Sequence, residues 1–374
     1  MKNQSNTYLQ EVFIQLIRIG IGASNDALIS KDVNWEQMKV LADEQGLSAI
    51  VLDGLNTDGA NLSDGMPLEM KLEWIGEVLQ GESMYSLQQE VSADIAKLYH
   101  NNAIRMYVLK GAVVSECYPK PNHRVSVDVD CFLTKEFKGS SSLKVQDEEW
   151  DAWSLGNDLI RAKGFAVNTD FYKNSSFDIS GVLVENHQFL TPFRGNDKLS
   201  ALENVLQSYL RQNKELDIIE GTNLYRPPVM VTALFLIEHA YSHFLHEGLT
   251  WRMVLDWMMF RKKHKKEICW MDFNALIDEF GFRKFYDSFS RLGQYLIGEI
   301  KDSGFTFQDE RMLADVWAPL DVHETVRGVK GKLALAGNTW RARWKYHYFT
   351  EMSWVTALWI QVRGFLFEKN PQLN

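Results

Sequence analysis

From Tyr8 to Ile21 apolar residues return every three or four positions, and the same beat runs through Trp35 to Gly46 and Met70 to Leu98, so the first hundred residues read as helices. Asn34 stands directly before Trp35, with Gln37 three residues on, which predicts an N-cap there. Past residue 100 the period shortens. Short apolar runs rich in β-branched residues alternate with turn residues: one through Val108 ending at Lys110-Gly111, a helix-compatible stretch from Ala112 to Tyr118, and a strand between Val125 and Leu133. Lys138 to Glu149 is a polar, serine-rich loop. Trp153 to Lys163 predicts a helix ended by Gly164, followed by strands at Phe165 to Thr169 and Phe177 to Phe189. After Arg194-Gly195-Asn196 the pattern is helical to the end, and Pro227-Pro228 opens the helix that carries His239. The expectation is an α+β chain with a helical region over 1–100, a small α/β core over 101–195 and a C-terminal helical domain over 196–374.

The candidate chemistry lies in the core. Asp128 and Asp130 are one residue apart on the Val125 to Leu133 strand, so both carboxylates point to one face while Val127, Val129 and Cys131 point to the other. Two anionic oxygen ligands so placed suit a divalent cation such as Mg²⁺, which keeps several waters and takes further ligands from a substrate's phosphates. An Asp-x-Asp pair can also simply mark a strand leaving the core. Here the surrounding run is apolar enough that unpaired charge would be costly. Upstream, strand, glycine turn and helix start form a place where backbone N–H groups can face a phosphate.

These residues carry a resemblance. The order Leu109-Lys110-Gly111, Tyr118-Pro119, Arg124-x-Ser126-x-Asp128-x-Asp130 resembles the uncharacterised nucleotidyltransferase family, within the polymerase-β-like nucleotidyltransferase superfamily. It is also similar to the nucleotidyltransferase toxins of bacterial abortive-infection systems. Val184-Glu185-Asn186-His187 is similar to the strand that supplies the third carboxylate, and the stretch from His239 to Trp257 looks like the family's downstream His-and-Asp segment. The resemblance covers roughly residues 100 to 260. It implies a mixed-sheet polymerase-β-like core, an NTP substrate such as ATP, Mg²⁺ or Mn²⁺, and Asp128, Asp130 and Glu185 as catalytic metal ligands. Asp178 lies on the same segment as Glu185; the latter is preferred because it follows Val182-Leu183-Val184 and precedes His187 in the family's Glu-x-His pattern. One departure is Gly111-Ala112 where the superfamily has Gly-Gly or Gly-Ser, which removes a hydroxyl from the phosphate turn.

Nucleotidyl transfer needs in-line attack on an α-phosphate with pyrophosphate leaving, and two metal ions can stabilise both oxygens. Lys110 and Arg124 are the candidates for the triphosphate, Arg124 as a bidentate grip and Lys110 as a point charge. Gly111 offers backbone, and Ser126 either meets a phosphate or orients Asp128. His187, His239 and His243 are candidate substrate contacts. His239, His243 and His246 share a helical face whose spacing also suits zinc, although the order is not that of a metalloprotease. Arg252 and Asp256, four apart, are placed to pair with each other.

Composition sets the bounds. The chain has 374 residues, more than one ordinary domain of about 100 to 200 residues, and its 12 tryptophans read as packing between helices. A net charge of −9 argues against broad nucleic-acid binding. Trp340 to His347 interleaves aromatics with cations, as an RNA contact does or as the solvated side of an amphipathic helix does. Three scattered cysteines without ligand spacing, no signal-type N-terminus and no long apolar span point to a soluble, cytoplasmic protein with no membrane partner. The reading is a two-metal nucleotidyltransferase whose acceptor, a small molecule, a tRNA end or a protein hydroxyl, stays open. The alternatives are a degenerate nucleotide-binding or scaffold protein without turnover, and a helical interaction protein in which the carboxylates are structural.

Overall fold

A computed structural model describes residues 2–25, 33–56, 65–135, 152–169, 171–192, 196–212, 216–318 and 340–367. The predicted loop from Lys138 to Glu149 lies outside them. The described residues of the N-terminal region form four helices: α1 (Lys2–Gly20), α2 (Trp35–Glu44), α3 (Ser48–Leu55) and the long α4 (Leu68–His100). Asn34 caps α2, its side chain accepting from the Gln37 N–H at 3.1 Å. Helix α3 was not expected. It is almost wholly buried, so it lacks the polar face that reveals a surface helix.

One mixed sheet follows: β1 (Ile104–Val108), β2 (Asp128–Lys135), β3 (Asn174–Ile179), β4 (Val182–His187), β5 (Asp217–Ile218) and β6 (Leu224–Arg226), in the order β3-β4-β2-β1-β6-β5. β2 runs antiparallel to β1 and parallel to β4, and β6 lies parallel to β1. The run predicted as a single strand over Phe177 to Phe189 is part of a hairpin, since Ser180 and Gly181 both take positive φ and form a two-residue turn between β3 and β4. Of the strand expected over Phe165 to Thr169, only a bridge from Asn168 to Ser176 exists. The sheet also runs past residue 195, contrary to a purely helical remainder. β5 and β6 have two and three residues, too few for a periodic signal.

Helix α5 (Ala112–Ser115) follows β1, and α6 (Ala152–Ala162) crosses between β2 and β3. The C-terminal half contributes α7 (Asp197–Gln212), α8 (Val229–His246), α9 (Trp251–Lys263), α10 (Trp270–Glu279), α11 (Arg283–Leu296), α12 (Phe307–Val316), α13 (Arg343–Phe349) and α14 (Trp354–Phe367). Period-two alternation splits the sheet's side chains between two cores. Met106, Val108, Val129, Cys131 and Val184 join Ile95 and Tyr99 of α4 and Ile160 of α6. Tyr107, Leu109, Phe132 and Tyr225 join the large helical core built on α1, α8, α9 and α11. No helix among the described residues is long and apolar enough to cross a membrane.

Candidate active site

The site forms where the second sheet face leaves the core. β2 and β4 are parallel and in register, with Asp128 opposite Leu183 and Asp130 opposite Glu185. Residues opposite each other on parallel neighbours share a face, so Asp128, Asp130, Glu185 and His187 all point away from Val129 and Val184. The ligand atoms of Asp130, Glu185 and His187 lie within 4.8 Å of one another. His187 fixes the arrangement: Nε2 is 2.8 Å from Asp130 Oδ1 and 3.7 Å from Glu185 Oε2, and Nδ1 is 3.3 Å from the Phe189 carbonyl. Asp178 is elsewhere, accepting from the Gly181 N–H in the hairpin turn at 3.0 Å.

β1 delivers the cation. After Val108, Leu109 still donates to the Asp130 carbonyl, and the chain then turns at Gly111, whose φ of 51° and ψ of −112° favour a residue without Cβ. That turn aims Lys110 inward. Its Nζ lies 3.0 Å from Asp130 Oδ2 and 3.3 Å from His239 Nε2.

Helix α8 closes the opposite wall. His239 stacks on Phe235 and meets His243 edge-on at 4.4 Å, while His243 Nδ1 contacts Glu247 and His246 Nδ1 contacts the Ser242 carbonyl. The resulting cleft, about 760 Å³, is lined by Lys110, Asp128, Asp130, Glu185, His187 and His239, with His243 and His246 at α8 and Asn168, Phe171 and Lys173 from the segment before β3. Its size is that of an ordinary small-molecule site. Among the described residues the three α8 histidines do not form a metal cluster; the one with ligand spacing is Asp130, Glu185 and His187.

The electrostatics set these acids apart. Burial opposes charge on Asp130, yet the Lys110 ammonium and His187 hold its carboxyl well below the usual carboxylate range. Burial and the neighbouring Asp130 charge push Asp128 up. Burial, followed by Asp130, likewise raises Glu185. Lys110 stays charged, because Asp130 and Asp128 outweigh the desolvation that opposes it. Burial, then Lys110 and His243, push His239 well below its ordinary value, so its Nε2 is a neutral acceptor for the ammonium. Carboxyls whose ionisation is opposed by burial and a like-charged neighbour are a donor set that a hard divalent cation fits.

Arg124 does not line this cleft. It is 3 % exposed, and its Nε and Nη2 donate to the two carboxylate oxygens of Asp256 on α9, each at 2.8 Å. Tyr118 OH donates to the same carboxylate at 2.7 Å. The expected pairing of Arg252 with Asp256 is corrected accordingly: a planar guanidinium makes two parallel bonds there, and Arg252 reaches the Val125 carbonyl instead. Ser126 Oγ donates to the Asp128 carbonyl at 2.9 Å, so it braces the strand entry. In the Trp340 to His347 stretch, Lys345 is buried, 2.7 Å from Asp315 and donating to the Phe244 carbonyl. Arg343 sits over Trp340, 4.2 Å from its ring centre.

Asn168, Phe171 and Lys173 were not foreseen as cleft residues. They occupy an irregular segment with no periodicity. Asn174 and Ser176 are also on the cleft wall, with Ser176 facing Glu185 across the β3–β4 pair.

The model of the uncharacterised nucleotidyltransferase family matches residues 31–298, which include the whole sheet and both walls of the cleft. No curated protein and no solved structure matches the chain.

Proposed function

The chain belongs to the uncharacterised nucleotidyltransferase family, and on that basis we propose that it moves a nucleoside monophosphate from an NTP to an acceptor hydroxyl in the cleft between β2, β4 and α8. The observation that carries the proposal is the register of Asp130 against Glu185 on adjacent parallel strands, with Asp128 on the same face. In this reading the catalytic core is the sheet with α5 and α6, held between the helical regions.

Asp128, Asp130 and Glu185 would hold Mg²⁺ or Mn²⁺, which would supply stabilisation of the attacking and leaving oxygens around the α-phosphate. His187 would orient Asp130 as a ligand through the 2.8 Å contact. Lys110 and Gly111 meet the triphosphate, the first with its ammonium and the second with its backbone N–H. Glu185, on the same face as Asp130, accepts the acceptor's proton. The acceptor oxygen bonds to the α-phosphorus, the bond to the β-phosphate breaks, and pyrophosphate leaves with the electron pair. The acceptor is a small molecule, a tRNA end or a protein hydroxyl. Arg124, paired with Asp256, serves as a structural clamp on the approach to β2 rather than as a phosphate ligand. Three free thiols suit the reducing cytoplasm, where the NTP pool lies.

Two observations favour a second reading. Lys110 already neutralises Asp130, and Ala112 stands where a hydroxyl would help hold phosphate. A protein that binds nucleotide without turning it over would also have these features. Incubating the protein with α-phosphate-labelled NTP and size-separated pools of acceptors distinguishes the two. Label transferred by the wild type and not by Glu185→Gln supports the transferase, whereas binding of NTP without any transfer supports the second reading.

A further inference from the structure

One position before His239 on α8, Glu238 is not among the residues that line the catalytic cleft. It is 1 % exposed, and among the described residues neither carboxyl oxygen has a hydrogen-bond partner. A buried carboxyl left unpaired is costly, and such groups in folded proteins ordinarily meet a partner. Glu238 lines a cavity of about 170 Å³ whose wall also carries Tyr241 and Tyr346. Most of the remaining wall is apolar, Leu245 and Met352 included. Pro192, Ser242 and His246 belong both to this wall and to that of the catalytic cleft, so the two spaces adjoin along α8.

We propose that this cavity seats the ammonium group of the acceptor, which is therefore a small organic amine that also carries a hydroxyl. The proposal rests on the nucleotidyl-transfer reading of the cleft. An ammonium has three donors and a charge, enough to satisfy both Glu238 oxygens, whereas a hydroxyl donates one hydrogen bond. Tyrosine rings are favourable neighbours for such a cation, and a wall with little water strengthens the ion pair. Burial pushes the Glu238 carboxyl up to about 7, against the pull of Lys173. With the ammonium in place, the acceptor's hydroxyl extends past Ser242 and His246 toward Glu185. Its oxygen bonds to the α-phosphorus, its proton passes to Glu185, and pyrophosphate departs.

The test uses n-butylammonium as the amine and n-butanol as its neutral counterpart, titrated into the full chain by calorimetry. The variants are Glu238→Gln and Ala357→Leu, the latter filling the cavity from a second helix, with folding checked by circular dichroism. The expected result is saturable binding of the amine to the wild type, weakened about tenfold or more in both variants, and no saturable binding of the alcohol. Amine binding that Glu238→Gln leaves unchanged, or an amine that does not bind the wild type at all, overturns the inference. Titration of Mg²⁺ and NTP into the same samples separates the two claims. A protein that binds nucleotide but no amine fails this inference alone, and one that binds amine but no nucleotide keeps the cavity and loses the transfer step.

Discussion

Lys110 Nζ stands 3.0 Å from Asp130 Oδ2 while His187 Nε2 holds the other oxygen of the same carboxylate at 2.8 Å. Asp130 is therefore gripped from both sides before any ligand arrives. A cation entering beside Glu185 has to share that carboxylate with an ammonium.

Removing the ammonium should therefore free the site for metal while weakening nucleotide binding. Lys110→Met is expected to tighten Mn²⁺ binding in the absence of nucleotide about tenfold, one unit of carboxylate pKa being worth about 1.4 kcal/mol. The same variant should bind Mg²⁺–NTP less well than the wild type. Calorimetry with each ligand measures both, and a Lys110→Met protein that binds metal and nucleotide like the wild type would remove Lys110 from the site.

His187 acts through Asp130. His187→Gln should leave the fold in place and lower metal affinity about 10- to 100-fold, the usual effect of losing a group that orients a ligand. A Mn²⁺ titration followed by electron paramagnetic resonance reads this directly. Unchanged affinity would make the 2.8 Å contact incidental.

Asp128 and Glu185 have pKa values raised by burial and by Asp130, so each tends to retain a proton that a divalent cation must displace. Metal affinity should rise with pH through the raised carboxylate range and level off above it, with protons released on binding. Calorimetry in two buffers of different ionisation enthalpy counts those protons. Asp128→Asn should reduce the number released; a count that stays the same in the variant contradicts the assignment.

The Arg124–Asp256 pair makes a separate prediction about stability. Arg124 is buried and bidentate on Asp256, so Arg124→Met strands a buried carboxylate and should destabilise the protein by about 3–5 kcal/mol in denaturant. Burial alone would raise Asp256, but the guanidinium holds its carboxyl below the ordinary value. Its contribution is thus fully present above the unfolded carboxylate range and is lost as pH falls through the lowered folded value. Were Arg124 a phosphate ligand, the variant would lose nucleotide affinity while keeping its stability, a pattern that thermal melts and titrations distinguish.

Much of the site could be read from residue order. Asp128-x-Asp130 in an apolar run is a period-two signal, and the structure keeps both carboxyls on one face because β2 is a strand there. Asn34 and Gly164 marked helix ends for local reasons, a side-chain cap and a positive φ. Glu185 was different: nothing local places it beside Asp130, and it was singled out by the apolar run Val182-Leu183-Val184 before it and by the pattern Glu-x-His shared with a known family. Arg124 and Asp256 are 132 residues apart, so the sequence shows only the nearer Arg252 as a partner for Asp256. Lys173 and Phe171 reach the cleft from an irregular segment, where side-chain direction has no period to follow. β5 and β6 were missed because two or three residues cannot establish an alternation.

The central claim is that the carboxylates on β2 bind nucleotide through a divalent cation. Calorimetric titration of the four NTPs, as non-hydrolysable analogues with Mg²⁺, into the wild type and the Asp128→Asn/Asp130→Asn double variant tests it without knowledge of the acceptor. The account predicts Mg²⁺-dependent binding of at least one NTP by the wild type and none by the variant. Binding of equal strength to both proteins, or to neither, would contradict it.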